Sequence, residues 1–434
     1  MRGLMKHAIL LLLFAQPLSA IDFRDPSSLV ERAIDLHPTL AALRADVSAA
    51  QERVAPAGAL PNPMLMAGVQ NKQLDLRDDE MMTMYMIGAS QTLIRREKRE
   101  SRTAAARLAA LAAEYEYASA RAAVERDVLL AWYDLASADA QLRTTESVRE
   151  IIDAVVAASR VRYEIGTSIQ ADVIRAQLQQ STLERELIRL RGMRRNALAR
   201  LLPLLELPFD TEVDRIDLPE NATRGAIEGT PVPSADHPVL AALEAVVEQA
   251  EEDIRLAEAA RIPDIDLEAQ YGYRPMQRDM FSLTARIELP LRKDVTIEPR
   301  VREAILRREA ARARIAEARR RISAAMGSAI AAHDEATQQL RLYEEVLVPQ
   351  AQLAFESTLA AYQTGAASFE SILATETDYL RLRLQYHELA QRHAQAIVSY
   401  EALVRGARPG PMPNLTPVAS AATPAAASNP MGSM

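Results

Sequence analysis

The stretch Tyr163-Glu-Ile-Gly166-Thr-Ser-Ile-Gln-Ala-Asp172-Val-Ile-Arg-Ala-Gln177 decides the fold, together with its counterpart Tyr362-Gln-Thr-Gly365-Ala-Ala-Ser-Phe-Glu370-Ser-Ile-Leu-Ala-Thr-Glu376. Each reads as a tight reversal between two helices. Gly166 and Gly365 supply the left-handed backbone that ends one helix, and Ser168 and Ser368 are expected to cap the next. The glycines are 365 − 166 = 199 residues apart. A second pair of landmarks, His37-Pro-Thr-Leu-Ala-Ala-Leu43 and His237-Pro-Val-Leu-Ala-Ala-Leu243, agrees at six of seven positions with an offset of 237 − 37 = 200. Two motifs in nearly one register identify a tandem duplication.

Outward from the first turn lies the longest element. Neither proline nor glycine occurs from Arg96 to Arg162, and these 162 − 96 = 66 steps predict a helical rod of roughly 100 Å. Val124, Val128, Ala131, Leu135, Ala138 and Leu142 follow the 4-3-4-3-4 spacing of a heptad seam. Past the turn a return helix is expected from about Ile169 to Leu202, stopping before Pro203 and Pro208. Upstream, apolar residues at helical spacing predict one helix from Pro26 to about Val54. Two strand-like runs follow, about Met64 to Asn71 and Met82 to Leu93, around a polar loop with Asp75, Asp78, Asp79 and Glu80. The second copy repeats the order: a helix from about Pro238 to Ala260, strands from about Asp264 to Tyr273 and Phe281 to Leu291, a long helix from about Arg300 to Ala361 interrupted at Pro349, and a last helix ending near Arg405.

The organisation expected is therefore a signal peptide over 1–20, a first repeat over 21–203, a linker over 204–236, a second repeat over 237–405 and a disordered tail over 406–434. Arg2 and Lys6, the run Ala8 to Ala15, and Leu18-Ser19-Ala20 carry the signal reading. The fold class is mainly α with a small β part.

Composition narrows the function. The 434 residues are 49% hydrophobic but only 4% aromatic, which suits long, closely packed helices. A net charge of −8 argues against nucleic acid as a partner. The chain has no cysteine, so thiolate metal sites, disulfides and cysteine nucleophiles are excluded, as is an acylated cysteine anchor. No run of about 20 apolar residues follows the signal. If the chain enters a membrane, strands must hold it there.

In the second copy, Ile265, Leu267, Ala269, Tyr271 and Tyr273 alternate with Asp266, Glu268 and Gln270, and Phe281, Leu283, Ala285, Ile287 and Leu289 alternate with Ser282, Thr284, Arg286 and Glu288. Such runs suit a water-filled barrel with its polar face inward, and equally a soluble sheet lying on a core. Four strands cannot close a barrel, for which about eight is the working minimum. An open sheet in lipid leaves backbone groups unpaired at several kcal/mol each. Membrane insertion thus demands that several chains share one barrel, and three would give twelve strands.

With its duplication, its two-strand insert in each half, its Tyr-x-x-Gly turns and Leu289-Pro290-Leu291 after the last strand, the chain resembles the TolC-like outer-membrane factors of bacterial tripartite efflux and secretion systems. The first copy departs from the pattern, with Thr92-Leu93-Ile94 where the second has a proline. The resemblance implies a homotrimer whose twelve-stranded barrel in outer-membrane lipid continues into a helical tunnel in the periplasm. It implies passive export, driven by an inner-membrane pump and coupled through a periplasmic adaptor. Ala59-Leu-Pro-Asn-Pro63 and Tyr163 to Gln177 look most like the branch serving heavy-metal and related resistance-nodulation-division pumps, although the lipidated cysteine common in that branch is missing.

The same resemblance implies site residues. Tyr163, Gly166, Thr167 and Ser168, with Tyr362, Gly365, Ala366 and Ser368, would form the periplasmic tip that docks the adaptor. Asp172, Glu370 and Ser371 are the candidate gate, with Glu376 and Asp378 nearby; a carboxylate ring would favour cations, while the same acids could simply favour helix starts. Asp266, Glu268, Arg286 and Glu288 would line the barrel lumen. Met64, Met66, Met82, Met84 and Met86 read either as lipid-facing hydrophobes, the simpler reading, or as a soft-metal relay. His37 and His237 look structural, and His387 and His393, six apart, lie on different helix faces. No cofactor, nucleotide motif or catalytic set is present, so an enzyme is not expected. The alternative function, from a different class, is a soluble periplasmic helical-hairpin adaptor or scaffold.

Overall fold

A computed structural model describes residues 21–72, 82–219, 222–275 and 277–409. The expected signal, nearly all of the expected tail and the acids Asp75, Asp78, Asp79 and Glu80 lie outside the described residues. The elements run α1 (Pro26–Leu36), α2 (Pro38–Glu52), α3 (Val54–Ala57), β1 (Met64–Gln70), β2 (Met84–Leu93), α4 (Arg96–Glu164), α5 (Gln170–Leu204), α6 (Pro238–Ala259), β3 (Ile265–Tyr273), β4 (Met280–Ile287), α7 (Lys293–Thr296), α8 (Glu298–Leu342), a π-helical turn (Tyr343–Leu347), α9 (Val348–Gln363) and α10 (Phe369–Arg405).

Local chemistry sets most boundaries. Asp25 caps α1, its carboxylate accepting from Ser27 N at 3.0 Å, with Pro26 in the first turn where a missing N–H costs nothing. The single helix expected from Pro26 to Val54 is divided, because Pro38 drives His37 into extended backbone at ψ 121°. Pro203 sits inside the last turn of α5 instead of beyond it. Before Pro349 the chain widens into the π-turn and α-helix resumes at Val348, so the break lies just N-terminal to the proline, where its missing donor and ring disturb the preceding carbonyls. The fourth strand ends at Ile287, short of Leu291; Leu289-Pro290-Leu291 follows it as irregular chain.

The chain forms two compact units, each drawing on both repeats. Among the described residues one comprises 21–37, Val124–Glu228 less 220 and 221, and Ala329–Ser399, the other Pro38–Ala123 and Gly229–Ser328 as far as they are described, with 400–409. In the first, the heptad residues Val124, Val128, Ala131, Leu135, Ala138 and Leu142 are all buried. Trp132 is buried too, its indole N–H donating to Phe23 O at 2.8 Å. The segment after α5 is strapped onto the helices. Buried Asp139 pairs with Arg194 at 2.7 Å and accepts from Ile216 N at 3.1 Å, while Arg194 also donates to Val213 O. A charge without solvent persists only with such partners.

The second unit carries one antiparallel sheet in the order β1-β2-β3-β4. In its helical part, Ala122, Ala402 and Ala407 pack together, and His237 caps α6, accepting from Val239 N through Nδ1 while Nε2–H donates to Leu403 O at 2.8 Å. Lys98 is buried against Asp264 at 3.0 Å, just before β3.

Candidate functional site

Within the first unit, the two Tyr-x-x-Gly motifs fold as near copies. Gly166 has φ +75° and Gly365 φ +81°. In each, the glycine N–H returns to the tyrosine carbonyl at 3.0 Å, and the following N–H bonds five residues back, Thr167 to Arg162 O and Ala366 to Ala361 O, both at 2.8 Å. That pair of bonds closes a helix with a left-handed glycine.

The copies then diverge. Ser368 caps α10 as expected, its Oγ accepting from Ser371 N at 3.2 Å. Ser168 does not cap α5. Counted from the glycines, its counterpart is Ala367, and the N-cap position falls on Ile169, whose side chain offers no acceptor. The Ser168 hydroxyl instead donates to Asp172 Oδ2 at 2.9 Å. The tyrosines differ more: Tyr163 is 46% exposed and Tyr362 only 5%. Tyr362 belongs to a buried apolar cluster with Phe355, Phe369 and Ile372, and Arg162 adds to its cover. The Arg162 Nη2 donates to Tyr362 O at 2.6 Å and Gln363 O at 3.0 Å, and its guanidinium lies 4.4 Å from the Tyr362 ring centroid. Tyr362 also meets Phe369 edge-on at 5.9 Å, and burial raises its phenol pKa. The counterpart of Arg162 is Ala361, so the clasp exists once per chain and the motif alone could not reveal it.

Of the acids, Asp172 is half-buried with Ser168, whereas Glu370 and Ser371 are exposed. Asp378 pairs with Arg381 at 2.7 Å on the surface. Glu376 is neither a cap nor a surface acid. It is fully buried, with Oε2 accepting from Gln179 at 2.6 Å and Oε1 without a partner. Burial raises its pKa to about 7.

The sheet has two chemically distinct faces. Register places Thr92 opposite Asp266, Ser90 opposite Glu268, Gly88 opposite Gln270, and Asp266 opposite Arg286. Thr92 donates to Asp266 at 2.5 Å and Arg286 pairs with Glu268. The other face presents Leu65, Ile87, Leu267, Tyr271, Phe281 and Leu283, all exposed in the single chain. Asp266, Glu268 and Arg286 therefore share the polar face, whereas Glu288 lies beyond the end of β4 and joins no strand. The methionines also depart from the simpler expectation. Met64, Met66, Met84 and Met86 occupy the register positions of the polar face, opposite Ser90, Gly88, Gln70 and Gly68 respectively.

Two histidines that sequence spacing left apart are brought together: the His333 and His393 rings lie 4.7 Å apart and hold the carbonyls of Gly225 and Ala222. Their separation in sequence hid this. Among the described residues no group of three His, Asp or Glu could hold a metal, and no helix is long and apolar enough to cross a membrane.

The chain matches a family model described as outer membrane efflux protein over residues 29–205 and 234–404. No curated protein matches it in sequence. Among solved structures it is similar to the outer membrane protein VceC of Vibrio cholerae, at 19% identity and TM-score 0.74 over 88% of this chain and 96% of that one. The open-state MtrE outer membrane channel of Neisseria gonorrhoeae gives 15% and 0.74 over 88% and 89%. The CmeC outer membrane channel of Campylobacter jejuni gives 14% and 0.70 over 89% and 87%. At such identities the likeness concerns the fold. The family match separates the channel from the periplasmic scaffold and leaves the scaffold without support.

Proposed function

The chain belongs to the outer membrane efflux protein family, and from that membership we propose that three copies close one twelve-stranded barrel in the outer membrane, each lending four strands. The chain is an outer-membrane efflux channel and not an enzyme. One observation carries the trimer: a four-stranded sheet, apolar on one face and polar on the other, whose outer strands β1 and β4 each have one neighbour among the described residues. Lipid would leave those edges unsatisfied, and identical neighbours supply β1-to-β4 pairing around a closed ring. Asp266, Glu268 and Arg286 then face the water-filled lumen.

In this reading the turns at Tyr163, Gly166, Thr167 and Ser168 and at Tyr362, Gly365, Ala366 and Ser368 form the periplasmic tip that receives an adaptor, and Asp172, Glu370 and Ser371 stand at its mouth. A pump of the resistance-nodulation-division type drives export, a reading supported by Ala59-Leu-Pro-Asn-Pro63. Residues 1–20 direct export across the inner membrane.

Because the chain lacks cysteine, the trimer can be tested cleanly. Leu65→Cys on β1 combined with Leu283→Cys on β4, treated with a short bis-maleimide in outer membranes, should give a dimer–trimer ladder and no larger species. Purified protein should conduct ions in planar bilayers. Monomer alone after cross-linking, with no conductance, would overturn the proposal.

A further inference from the structure

On α4, Arg143, Thr144, Ser147 and Ile151 recur at helical spacing, and on α10 Tyr379, Arg383 and His387 recur every four residues. The helical period gathers each set on one face of its helix. Both sets line one open cleft of about 340 Å³ within the first unit. Ile151 and Tyr379 also pack against the apolar cluster that holds Val148 and Leu380, so part of the cleft wall is apolar.

A seam between helices ordinarily carries apolar residues at such facing positions. Here two guanidiniums and a histidine occupy them, and among the described residues no acid lines the cleft. Arg143 is fixed by the segment after α5, donating to Ile216 O at 3.0 Å and pairing at 2.9 Å with Asp217. The Asp217 side chain is 90% exposed, which makes it a weak partner. Arg383 lies 5.8 Å from the Tyr386 ring centroid and has no carboxylate partner among the described residues. His387 is 9% exposed; Thr144 Oγ1 holds its Nε2 at 2.9 Å, while Nδ1 has no partner. Burial, then Arg383 and Arg143, disfavours the charged form of this imidazole, and no negative group offsets them. Uncompensated positive charge thus stands beside an apolar wall. Guanidinium forks match carboxylate and phosphate oxygens, and a few placed polar groups on an apolar wall are the usual make-up of a small-molecule pocket.

We propose that the cleft between α4 and α10 binds a small organic anion, with its carboxylate or phosphate on Arg383, Arg143 and the Ser147 hydroxyl and its apolar body against Ile151 and Tyr379. The site lies within one chain and depends neither on strand pairing between copies nor on the membrane. An anion there supplies the negative charge that His387 lacks, so its binding favours the imidazolium.

The test uses the full-length mature protein in detergent. Para-fluorobenzoate and para-fluorophenyl phosphate serve as separate fluorine-NMR probes, with para-fluorobenzamide as the uncharged control. At least one anion should bind roughly tenfold or more tightly than the amide, and the tighter anion identifies the preferred group. At saturation it should move the His387 ring resonances, assigned by their loss in His387→Gln, and raise their titration midpoint from about 4. Arg383→Gln should weaken the anion by roughly tenfold, whereas Arg381→Gln, which removes a surface partner of Asp378 on the same helix, should not. If Arg383→Gln fails to assemble, Ser147→Phe, which fills the exposed mouth of the cleft, should show the same loss. Binding of neither anion, amide binding as tight as anion binding, a His387 ring unmoved at saturation, or equal effects of Arg383→Gln and Arg381→Gln would each overturn the proposal.

Discussion

Arg162 closes the end of another helix from a distance of 200 residues, donating to Tyr362 O while its guanidinium covers the Tyr362 ring. The carbonyls at the C-terminus of α9 carry partial negative charge; Tyr362 O already accepts from the Gly365 N–H and takes Arg162 on its second lone pair, so one cation serves both it and Gln363 O and shields an aromatic surface. Charge-assisted bonds and a cation–π contact at a half-buried site are together worth about 1–3 kcal/mol. Arg162→Ala should therefore speed amide hydrogen exchange at Gly365–Ala367 and leave Gly166–Ser168 nearly unchanged. Arg162→Lys should restore only part of the protection, since an ammonium cannot reproduce the planar fork. Equal acceleration at both turns would contradict the single clasp.

The left-handed glycines separate strain from crowding. Nothing lies within 4 Å of a Cβ at Gly166 or Gly365, so alanine there should cost only backbone strain, about 1 kcal/mol. Gly406, at φ +107°, differs because a Cβ would lie 2.5 Å from Pro238 Cγ. Thermal denaturation should rank Gly406→Ala well below the other two, and Asn at 166 or 365 should recover most of the loss.

What the residues disclosed follows how local each cause is. Helix type, the duplicated glycine turns and the 4-3-4-3-4 seam depend on neighbours in sequence, and all six seam residues are buried. The division at His37–Pro38 is equally local, since the restriction on a residue before proline breaks the apolar periodicity that otherwise runs on to Val54. Ser168 misled because a serine near a helix start is common while its register from Gly166 is what matters. The burial of Tyr362, the pairing of His333 with His393 and the face taken by the methionines depend on partners far away in sequence. Spacing by two fixes which methionines share a face; only register with β3 says which face that is.

The two faces of the sheet predict opposite tolerance to charge. Ile87 lies on the apolar face and Ser282 on the polar one. A lysine facing lipid near the midplane of a barrel costs about 2–4 kcal/mol, whereas a lumen position bears it readily. Ile87→Lys should reduce assembled trimer in outer membranes, and Ser282→Lys should assemble normally while altering ion selectivity in bilayers. Normal assembly of Ile87→Lys would reverse the assignment of faces.

Two buried groups of α10 make stability depend on pH in opposite senses. Burial holds the Glu376 carboxyl at about 7, against 4.5 when exposed. Between those values the folded chain keeps a proton that the unfolded chain has released, so stability falls as pH rises through the window and the whole penalty is present above 7. Burial, aided by Arg383 and Arg143, holds His387 at about 4, against 6.5 when exposed. Between those values the unfolded chain binds a proton that the folded chain refuses, so stability falls as pH drops. Each shift corresponds to about 3 kcal/mol over its full range. From pH 4.5 to 6.5 the two slopes oppose each other, which leaves the wild type flatter than either group alone. Glu376→Gln should unmask the histidine, with Tm decreasing as pH falls from 6.5 to 4.5, and should raise Tm at pH 8. His387→Gln should unmask the carboxyl, with Tm increasing as pH falls over the same range. Burial of His237 and His393 lowers their pKa values as well, adding to the acid-side loss in Glu376→Gln. A Glu376→Gln profile that superimposes on wild type at every pH would mean that this carboxyl titrates alike in the folded and unfolded chain, against the buried, half-satisfied geometry it has beside Gln179.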